Sequence, residues 1–199
     1  MTPKTIFDIE TGPAPDTELA LVKPQFKAPA NYKDPAKIAD AIAIAEADWK
    51  EKAALSPVTG RVLCIGMADG ILEGGEPGII SAFWNSWRHG GLFIGWNCKG
   101  FDLPFLIRRS WALGVKIPSD LFEGRYFNSR VVDLMEKWAC GNYGERESLD
   151  TAARTLGVGQ KNGSGADFAR LWREDKPKAI EYLQNDLRIT AAIAERMGV

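Results

Sequence analysis

The sequence predicts an α/β fold in which helices flank a mixed five-stranded sheet. Three observations support this prediction: an apolar strand pattern near the N-terminus, hairpin-like apolar runs after residue 60, and alternating strand and helix patterns in the second half. A chain of 199 residues with 45% hydrophobic residues can bury the core that such a fold needs. We therefore predict one domain over residues 1–199, with a helical insert at about residues 12–60.

Apolar runs bounded by glycine and polar residues give the five strands, at about residues 5–10, 61–69, 78–84, 92–96 and 130–134. Helical spacing of apolar residues gives further elements at about 102–113, 148–156, 167–173 and 177–196. The first of these helices should bury Leu103, Leu106, Ile107 and Trp111. Hairpin-like strands followed by strand–helix alternation indicate a mixed sheet.

The insert begins as a proline-rich loop and continues as a long helix. Asp34 is a suitable N-cap, and Pro35 suits the first helical position. The apolar positions of this helix recur at helical spacing and are Ile38, Ile42, Ala45 and Trp49. The segment is either a lid or strand-guiding arm, or a helix that covers the sheet.

Two carboxylates, Asp8 and Glu10, interrupt the apolar first strand. Side chains alternate along a strand, so both project from one face while Phe7 and Ile9 project from the other. Like charges on a buried strand need a compensating cation, and a hard divalent metal prefers carboxylate oxygens. An edge strand with one solvated face would produce the same pattern.

Two more carboxylates lie on predicted helices. Asp102 stands at the start of the helix at 102–113, where it could act either as a metal ligand or as an ordinary N-cap. Asp186 follows Tyr182 by four residues, so the two share one helix face with Ile189 and Ile193. A carboxylate on a largely apolar stripe favours a ligand role, and a partly exposed aspartate at its edge is the alternative.

Three motifs now stand in order along the chain: F-D-x-E-T at Phe7–Thr11, N-x-x-x-F-D at Asn97–Asp102, and Y-x-x-x-D at Tyr182–Asp186. With this set the sequence resembles the DEDD superfamily of 3′–5′ exonucleases, in the subtype with tyrosine in the third motif (DEDDy). The proofreading exonuclease domain of family B DNA polymerases and its stand-alone phage and bacterial relatives are most similar. The resemblance covers nearly the whole chain outside the insert and implies a ribonuclease H-like fold.

The resemblance also implies roles for single residues. It implies that four carboxylates bind two divalent ions, Mg²⁺ or Mn²⁺: Asp8, Glu10, Asp102 and Asp186. Tyr182 corresponds to the residue that positions the attacking water. Three residues match positions that hold the terminal nucleotides: Thr11, Asn97 and Phe101. A glycine-rich loop at residues 156–165 carries Lys161, which resembles a phosphate-binding lysine of relatives. Phe101 could equally be a core aromatic, and the loop a flexible connection.

Two metal ions would explain the residue types, because together they activate water and stabilise the leaving oxygen. The formal net charge of −1 argues against strong non-specific nucleic-acid binding, and no block of like charges is present. Further candidate phosphate contacts, each of which could be an ordinary solvated charge, are Lys99, Arg108, Arg109, Arg125 and Arg130.

Three widely spaced cysteines, Cys64, Cys98 and Cys140, indicate a reducing cytoplasm rather than a disulfide or zinc framework. No apolar run is long enough to span a membrane, so no membrane partner is expected.

The sequence thus predicts a metal-dependent 3′–5′ exonuclease acting on single-stranded DNA or frayed DNA 3′ ends. Only 13 residues follow Asp186, so any proofreading is expected to occur in trans with a separate polymerase. Two alternatives stay open: an exoribonuclease that trims RNA 3′ ends with the same site, and a catalytically inactive nucleic-acid-binding module.

Overall fold

A five-stranded mixed sheet organises the computed structural model, which describes residues 3–199. The strands are Lys4–Pro13 (β1), Gly60–Met67 (β2), Gly70–Glu73 (β3), Leu92–Gly95 (β4), Phe122–Glu123 (β5), Tyr126–Phe127 (β6) and Val131–Asp133 (β7). The helices are Asp16–Val22 (α1), Pro35–Glu51 (α2), Glu76–Trp87 (α3), Asp102–Leu113 (α4), Leu134–Trp138 (α5), Leu149–Leu156 (α6), Phe168–Glu174 (α7) and Lys176–Arg196 (α8).

The strand order in the main sheet is β3-β2-β1-β4-β7. β1 pairs with β4 in parallel, β4 pairs with β7 in parallel, and β2 and β3 form an antiparallel hairpin. β5 and β6 form a separate antiparallel hairpin, which the sequence patterns did not predict. The predicted mixed five-stranded sheet with flanking helices is therefore confirmed.

One predicted strand is wrong, because residues 78–84 belong to helix α3. The buried residues of this segment are Ile79, Ile80, Phe83, Trp84 and Trp87. They recur at intervals of three and four, which is the helical period rather than the strand period. Pro77 lies in the first turn of α3, where its missing N–H removes no hydrogen bond. The third strand is instead the short β3, directly after the turn at Ala68-Asp69.

Helix α4 forms where predicted, but one of the four residues expected on its buried face does not belong to it. Leu103, Leu106 and Ile107 are buried, whereas Trp111 is 65% exposed. The core side of α4 is completed by Ser110, whose hydroxyl accepts a hydrogen bond from the buried Trp84 indole at 2.8 Å. The expectation that Trp111 is a core residue is therefore wrong.

The described chain divides into two compact units, of which one contains residues up to Glu10 together with Val62–Val199. Two apolar clusters stabilise this unit. In the first, Phe7 and Ile9 of β1 pack with buried residues of α3 and α4. In the second, Ile6 of β1 packs with buried residues of α6 and α8. Successive residues of β1, Ile6 and Phe7, thus belong to different clusters, as the strand period of two requires.

The second unit is Thr11–Arg61. Asp34 caps α2 as predicted, accepting a hydrogen bond from the Ala36 N–H at 2.9 Å. No residue of α2 is fully buried. A small cluster of Ala14, Leu19 and Ala53 stabilises this unit, with Trp49 packed against it. The single domain over 1–199 and the role of the insert stay predictions.

None of the helices in residues 3–199 combines the length and the apolar character that a membrane span requires.

Close packing of α8 on β2 depends on Gly66. A Cβ atom on Gly66 would lie 2.7 Å from Leu187 Cδ1 and 2.9 Å from Leu183 Cγ. We expect Gly66→Val to lower the free energy of unfolding by about 1–3 kcal/mol, the usual cost of overpacking. Urea unfolding measures this. Gly78→Ala in α3 is the control, because no atom lies within 4 Å of its added methyl group; equal destabilisation by both variants would contradict the prediction.

Candidate active site

The alternation along β1 places Asp8 and Glu10 on the face that Ile6 shares with α8. Ile6 belongs to the cluster that contains Tyr182 of α8, whereas Phe7 and Ile9 belong to the opposite cluster. Glu10 is buried and Asp8 is half-buried. β1 also lies between β2 and β4 in the sheet. The alternative of an edge strand with one solvated face is therefore wrong.

Asp102 reaches the same region from the end of β4. The loop after β4 turns sharply at Asn97, whose φ of 58° lies in the left-handed region that asparagine tolerates. Asp102 is the first residue of α4 and is 3% exposed. Its carboxylate Oδ1 accepts a hydrogen bond from the Ile9 N–H of β1 at 3.0 Å. Asp102 does not cap α4, since the N-cap position is Phe101 and no side chain caps this helix.

Tyr182 and Asp186 complete the region from α8. Both are buried, as are Ile189 and Ile193 on the same stripe. Asp186 is 2% exposed, so the alternative of a partly exposed aspartate is wrong. Its Oδ2 pairs with the Lys161 ammonium. Its Oδ1 is buried and has no hydrogen-bond partner in the described residues. A buried oxygen without a partner is costly, which suggests that it is a ligand position.

The glycine-rich loop that carries Lys161 is held by two hydrogen bonds near its middle. The Lys161 backbone N–H donates to Asp150 Oδ1 at 2.7 Å, and the Asn185 side-chain amide donates to the Gln160 carbonyl oxygen at 3.1 Å. The Lys161 ammonium lies 4.9 Å from the centre of the Tyr182 ring. A Cβ atom on Gly163 would lie 2.9 Å from Tyr182 Cδ2, so the loop packs directly on the tyrosine. These contacts give the loop a defined position on Tyr182, so the alternative of a flexible connection is not favoured.

The four carboxyl groups repel one another. Burial raises the pKa of Asp8, and Asp102, Glu10 and Asp186 raise it further. Burial also raises the pKa of Glu10, with Asp186 and Asp102 adding to the shift. Burial raises the pKa of Asp102 to about 7, although the Ile9 N–H opposes the shift. The pKa of Asp186 is raised by burial against the opposing effect of Lys161. This mutual destabilisation shows that the four groups share one electrostatic environment.

Oxygen ligands with excess negative charge suit a hard divalent cation. Within residues 3–199, however, no three Asp, Glu, His or Cys side chains are gathered in a group that could hold a metal ion as they stand. In this arrangement Asp186 is paired with Lys161, and Asp102 is hydrogen-bonded to β1. The ligand chemistry and the unpartnered Asp186 Oδ1 fit a metal, which would compete with Lys161 for Asp186.

The structure gives contacts for three other predicted substrate-binding residues. Asn97 donates its backbone N–H to Asp133 Oδ1 at 3.0 Å, in the loop that leads to Asp102. Phe101 is half-buried and packs on Phe105, with ring centres 5.6 Å apart. Thr11 belongs to the Thr11–Arg61 unit, where its hydroxyl donates to the Ala54 carbonyl oxygen at 2.7 Å.

Two of the candidate phosphate contacts serve the structure instead. Arg109 is buried and pairs with Glu76 at 2.7 Å, and Glu76 also accepts the Val62 N–H. Arg130 pairs with Asp120 at 2.8 Å and stacks on the Trp87 ring.

Sequence patterns missed Asp133, which fixes the loop before Asp102. Its carboxylate accepts the N–H groups of Asn97 and Lys99 at 3.0 and 2.9 Å and also caps α5. It ends β7 directly beside the end of β4, because Gly95 and Asp133 are partners in the parallel register. The sequence signal that could have identified Asp133 is an aspartate at the end of a strand, directly before a helix.

Comparison with known proteins bears on this site. A family model described as "Predicted 3'-5' exonuclease related to the exonuclease domain of PolB" matches residues 36–192. Among curated proteins, no sequence matches the chain significantly.

Among solved structures, the family B DNA polymerase from the hyperthermophilic archaeon Pyrobaculum calidifontis is similar, with a TM-score of 0.63 and 20% sequence identity. The similarity covers 98% of this chain and 24% of the polymerase. At this identity the likeness concerns the fold alone, and it confirms the predicted ribonuclease H-like fold.

Protonation of the buried carboxyl groups gives a pH-dependent stability. Asp102 has a pKa of about 7 in the folded protein, against about 3.9 for an unperturbed aspartate. Between these values the folded state holds a proton that the unfolded chain has lost, so the free energy of unfolding falls as pH rises. In EDTA, we expect the melting temperature to fall between about pH 4 and pH 7, and Asp102→Asn to flatten this slope. Asp69→Asn, on the surface, is the control; an unchanged slope in Asp102→Asn would contradict the assignment.

Proposed function

Since the chain belongs to the family of predicted 3′–5′ exonucleases related to the exonuclease domain of PolB, we propose that it removes nucleotides from the 3′ end of single-stranded or frayed DNA. One observation carries this proposal: four carboxyl groups from β1, α4 and α8 enter one buried region beside Tyr182 and Lys161. Such a charge cluster destabilises a fold unless a ligand compensates it.

The proposed metal ligands are Asp8, Glu10, Asp102 and Asp186, and the proposed cofactors are two Mg²⁺ or Mn²⁺ ions. Bound there, the ions would activate water and stabilise charge on the leaving oxygen. The protein supplies the oxygen ligands on rigid elements, since β1 and α4 are joined by the Ile9–Asp102 hydrogen bond. The unpartnered Oδ1 of Asp186 supports a ligand role for this residue.

Tyr182 is proposed to orient the attacking water, as expected for the DEDDy subtype. Burial and the nearby carboxylates raise the pKa of its phenol above the ordinary value of about 10. The hydroxyl therefore stays protonated at neutral pH and can hold water by hydrogen bonding, but it is unsuited to removing a proton from it. Gly163 packs against the ring and fixes its position.

Lys161 is proposed to bind a phosphate oxygen of the substrate. Its ammonium lies beside Asp186 and over the Tyr182 ring, so a phosphate bound to it would be next to both. Phe101, at the start of α4, is proposed to stack on the terminal base, with Asn97 and Thr11 as further contacts to the terminal nucleotides. Stacking tolerates any base, which suits an enzyme that degrades a strand stepwise.

The chain spans about a quarter of the polymerase that it resembles. Proofreading for a separate polymerase is therefore a proposal about a partner, and it needs a free 3′ end that both proteins can reach in turn.

Direction and substrate are tested with the full-length protein. We expect 5′-labelled single-stranded DNA to give a ladder that shortens from its 3′ end in Mg²⁺ or Mn²⁺, and EDTA to prevent it. RNA of the same sequence, assayed in parallel, tests the exoribonuclease alternative. An intact substrate under every metal condition, together with tight binding, would favour the inactive binding module instead.

Removal of single carboxylates tests the metal site. Asp8→Ala and Asp186→Ala should each abolish most cleavage, while their melting temperatures in EDTA stay equal or rise because repulsion is relieved. Wild-type protein should gain thermal stability from Mn²⁺, and both variants should lose this gain. Asp69→Ala, at an exposed position, is the matched control. Near-normal turnover in Asp8→Ala or Asp186→Ala would remove the basis of the proposal.

Tyr182→Phe separates water positioning from metal binding. Loss of the hydroxyl should lower turnover by about 10²–10⁴-fold, the usual contribution of such a group. The thermal stabilisation by Mn²⁺ should persist, because the four carboxylates are unchanged. If Tyr182→Phe lost the Mn²⁺ effect as fully as Asp186→Ala, the proposed division of roles between tyrosine and carboxylates would be wrong.

A further inference from the structure

A groove of about 860 Å³ lies against β6, β7, α5 and the turn that follows α5. We call it the tyrosine groove, since Tyr126 and Tyr143 line it together with Arg125, Arg146, Lys99 and Lys137. The four carboxylates and Tyr182 do not line this groove. Its volume is in the range of natural ligand sites.

The two tyrosines are unusually exposed for aromatic side chains, at 63% for Tyr126 and 74% for Tyr143. Each has an arginine on its ring: the Arg125 guanidinium lies 4.8 Å from the Tyr126 ring centre, and that of Arg146 lies 4.0 Å from the Tyr143 ring centre. The same combination therefore occurs twice in one groove. Aromatic rings with adjacent cations are the elements by which proteins hold bases and phosphates of a single strand.

The charge of the groove favours an anionic ligand. Its cations are Lys99, Arg125, Lys137 and Arg146, and its acidic residues are Asp133 and Glu136. Both acidic groups already have partners within the protein. Asp133 accepts backbone N–H groups, and Glu136 pairs with Lys99 at 2.9 Å. Arg125, Lys137 and Arg146 therefore dominate the potential that a ligand meets.

Sheet topology brings the groove close to the candidate active site. Asp133 ends β7 and is joined through its carboxylate to the loop that leads to Asp102. In the sheet β4 lies between β7 and β1, which carries Asp8. Because neighbouring strands lie about 4.8 Å apart, β7 is about 10 Å from β1. A single strand of a few nucleotides can therefore reach from the carboxylates to the groove.

From these observations we infer that the tyrosine groove binds the part of a single-stranded nucleic acid that lies 5′ of the cleaved nucleotide. Bases stack on Tyr126 and Tyr143, and phosphates contact Arg125 and Arg146. This inference rests on the proposed function for the polarity of the strand. Stacking and phosphate contacts alone do not discriminate DNA from RNA, so both kinds of strand fit the groove.

Binding is measured by fluorescence anisotropy with 5′-labelled dT12 and rU12 in EDTA, where the groove acts without metal. The double variant Tyr126→Ala/Tyr143→Ala should weaken binding at least about tenfold, because each stacked base contributes substantially to affinity. Tyr126→Phe/Tyr143→Phe should bind like the wild type, since the rings remain. Trp111→Ala is the matched control: it removes an equally exposed aromatic on α4, away from the groove.

Cleavage supplies a second, length-dependent readout. The alanine variant should lose kcat/KM on dT12 and keep it on a dinucleotide, which is too short to reach the groove. If the wild type cleaved neither substrate, the proposed function would be wrong. The anisotropy measurements would still test whether the groove binds a single strand. Two results would overturn the inference and leave the groove to a protein partner. One is that the alanine variant binds dT12 and rU12 each as tightly as the wild type does. The other is that the wild type binds neither strand.

Discussion

Burial of four carboxyl groups around the end of β1 is the constraint on which the rest of the site depends. Lys161 lowers the pKa of Asp8, Glu10 and Asp186, so one ammonium group partly balances several negative charges. The remaining charge is relieved either by protons or by divalent cations. Metal binding, protonation and the position of the Lys161 loop are therefore linked, because each changes the charge that Asp186 carries.

The scaffold holds these groups through hydrogen bonds between backbone N–H groups and aspartate side chains, and most of the supporting residues are not themselves catalytic candidates. The Ile9 N–H fixes Asp102, Asp133 fixes the loop before it, and Asp150 fixes the backbone of Lys161. Gly66 lets α8 approach β2 closely, which brings Asp186 inward. Precise placement of a site commonly requires such supporting contacts. In this protein they connect β1, β7, α4 and α6 to one region.

Sequence patterns predicted most of this fold because apolar periodicity is strong in β1, α4 and α8. The prediction was wrong at Ile79–Trp87, where a short apolar run resembles a strand. Its buried residues recur at intervals of three and four, which indicates a helix. Asp8, Glu10 and Asp186 could be singled out as candidates because they interrupt apolar patterns, whereas Asp102 stood at the start of a predicted helix. Asp133 and the tyrosine groove were missed, since their significance comes from parallel pairing and from a turn that brings distant residues together.

The three thiols of this chain differ sharply in chemical accessibility. Cys64 and Cys98 are buried, and burial raises the pKa of both thiols, which keeps them protonated and unreactive. Cys140 is exposed and lines the tyrosine groove. A maleimide dye applied to the native protein should therefore attach at one position, without any cysteine being removed. The chain carries its own attachment point for an optical reporter beside the groove.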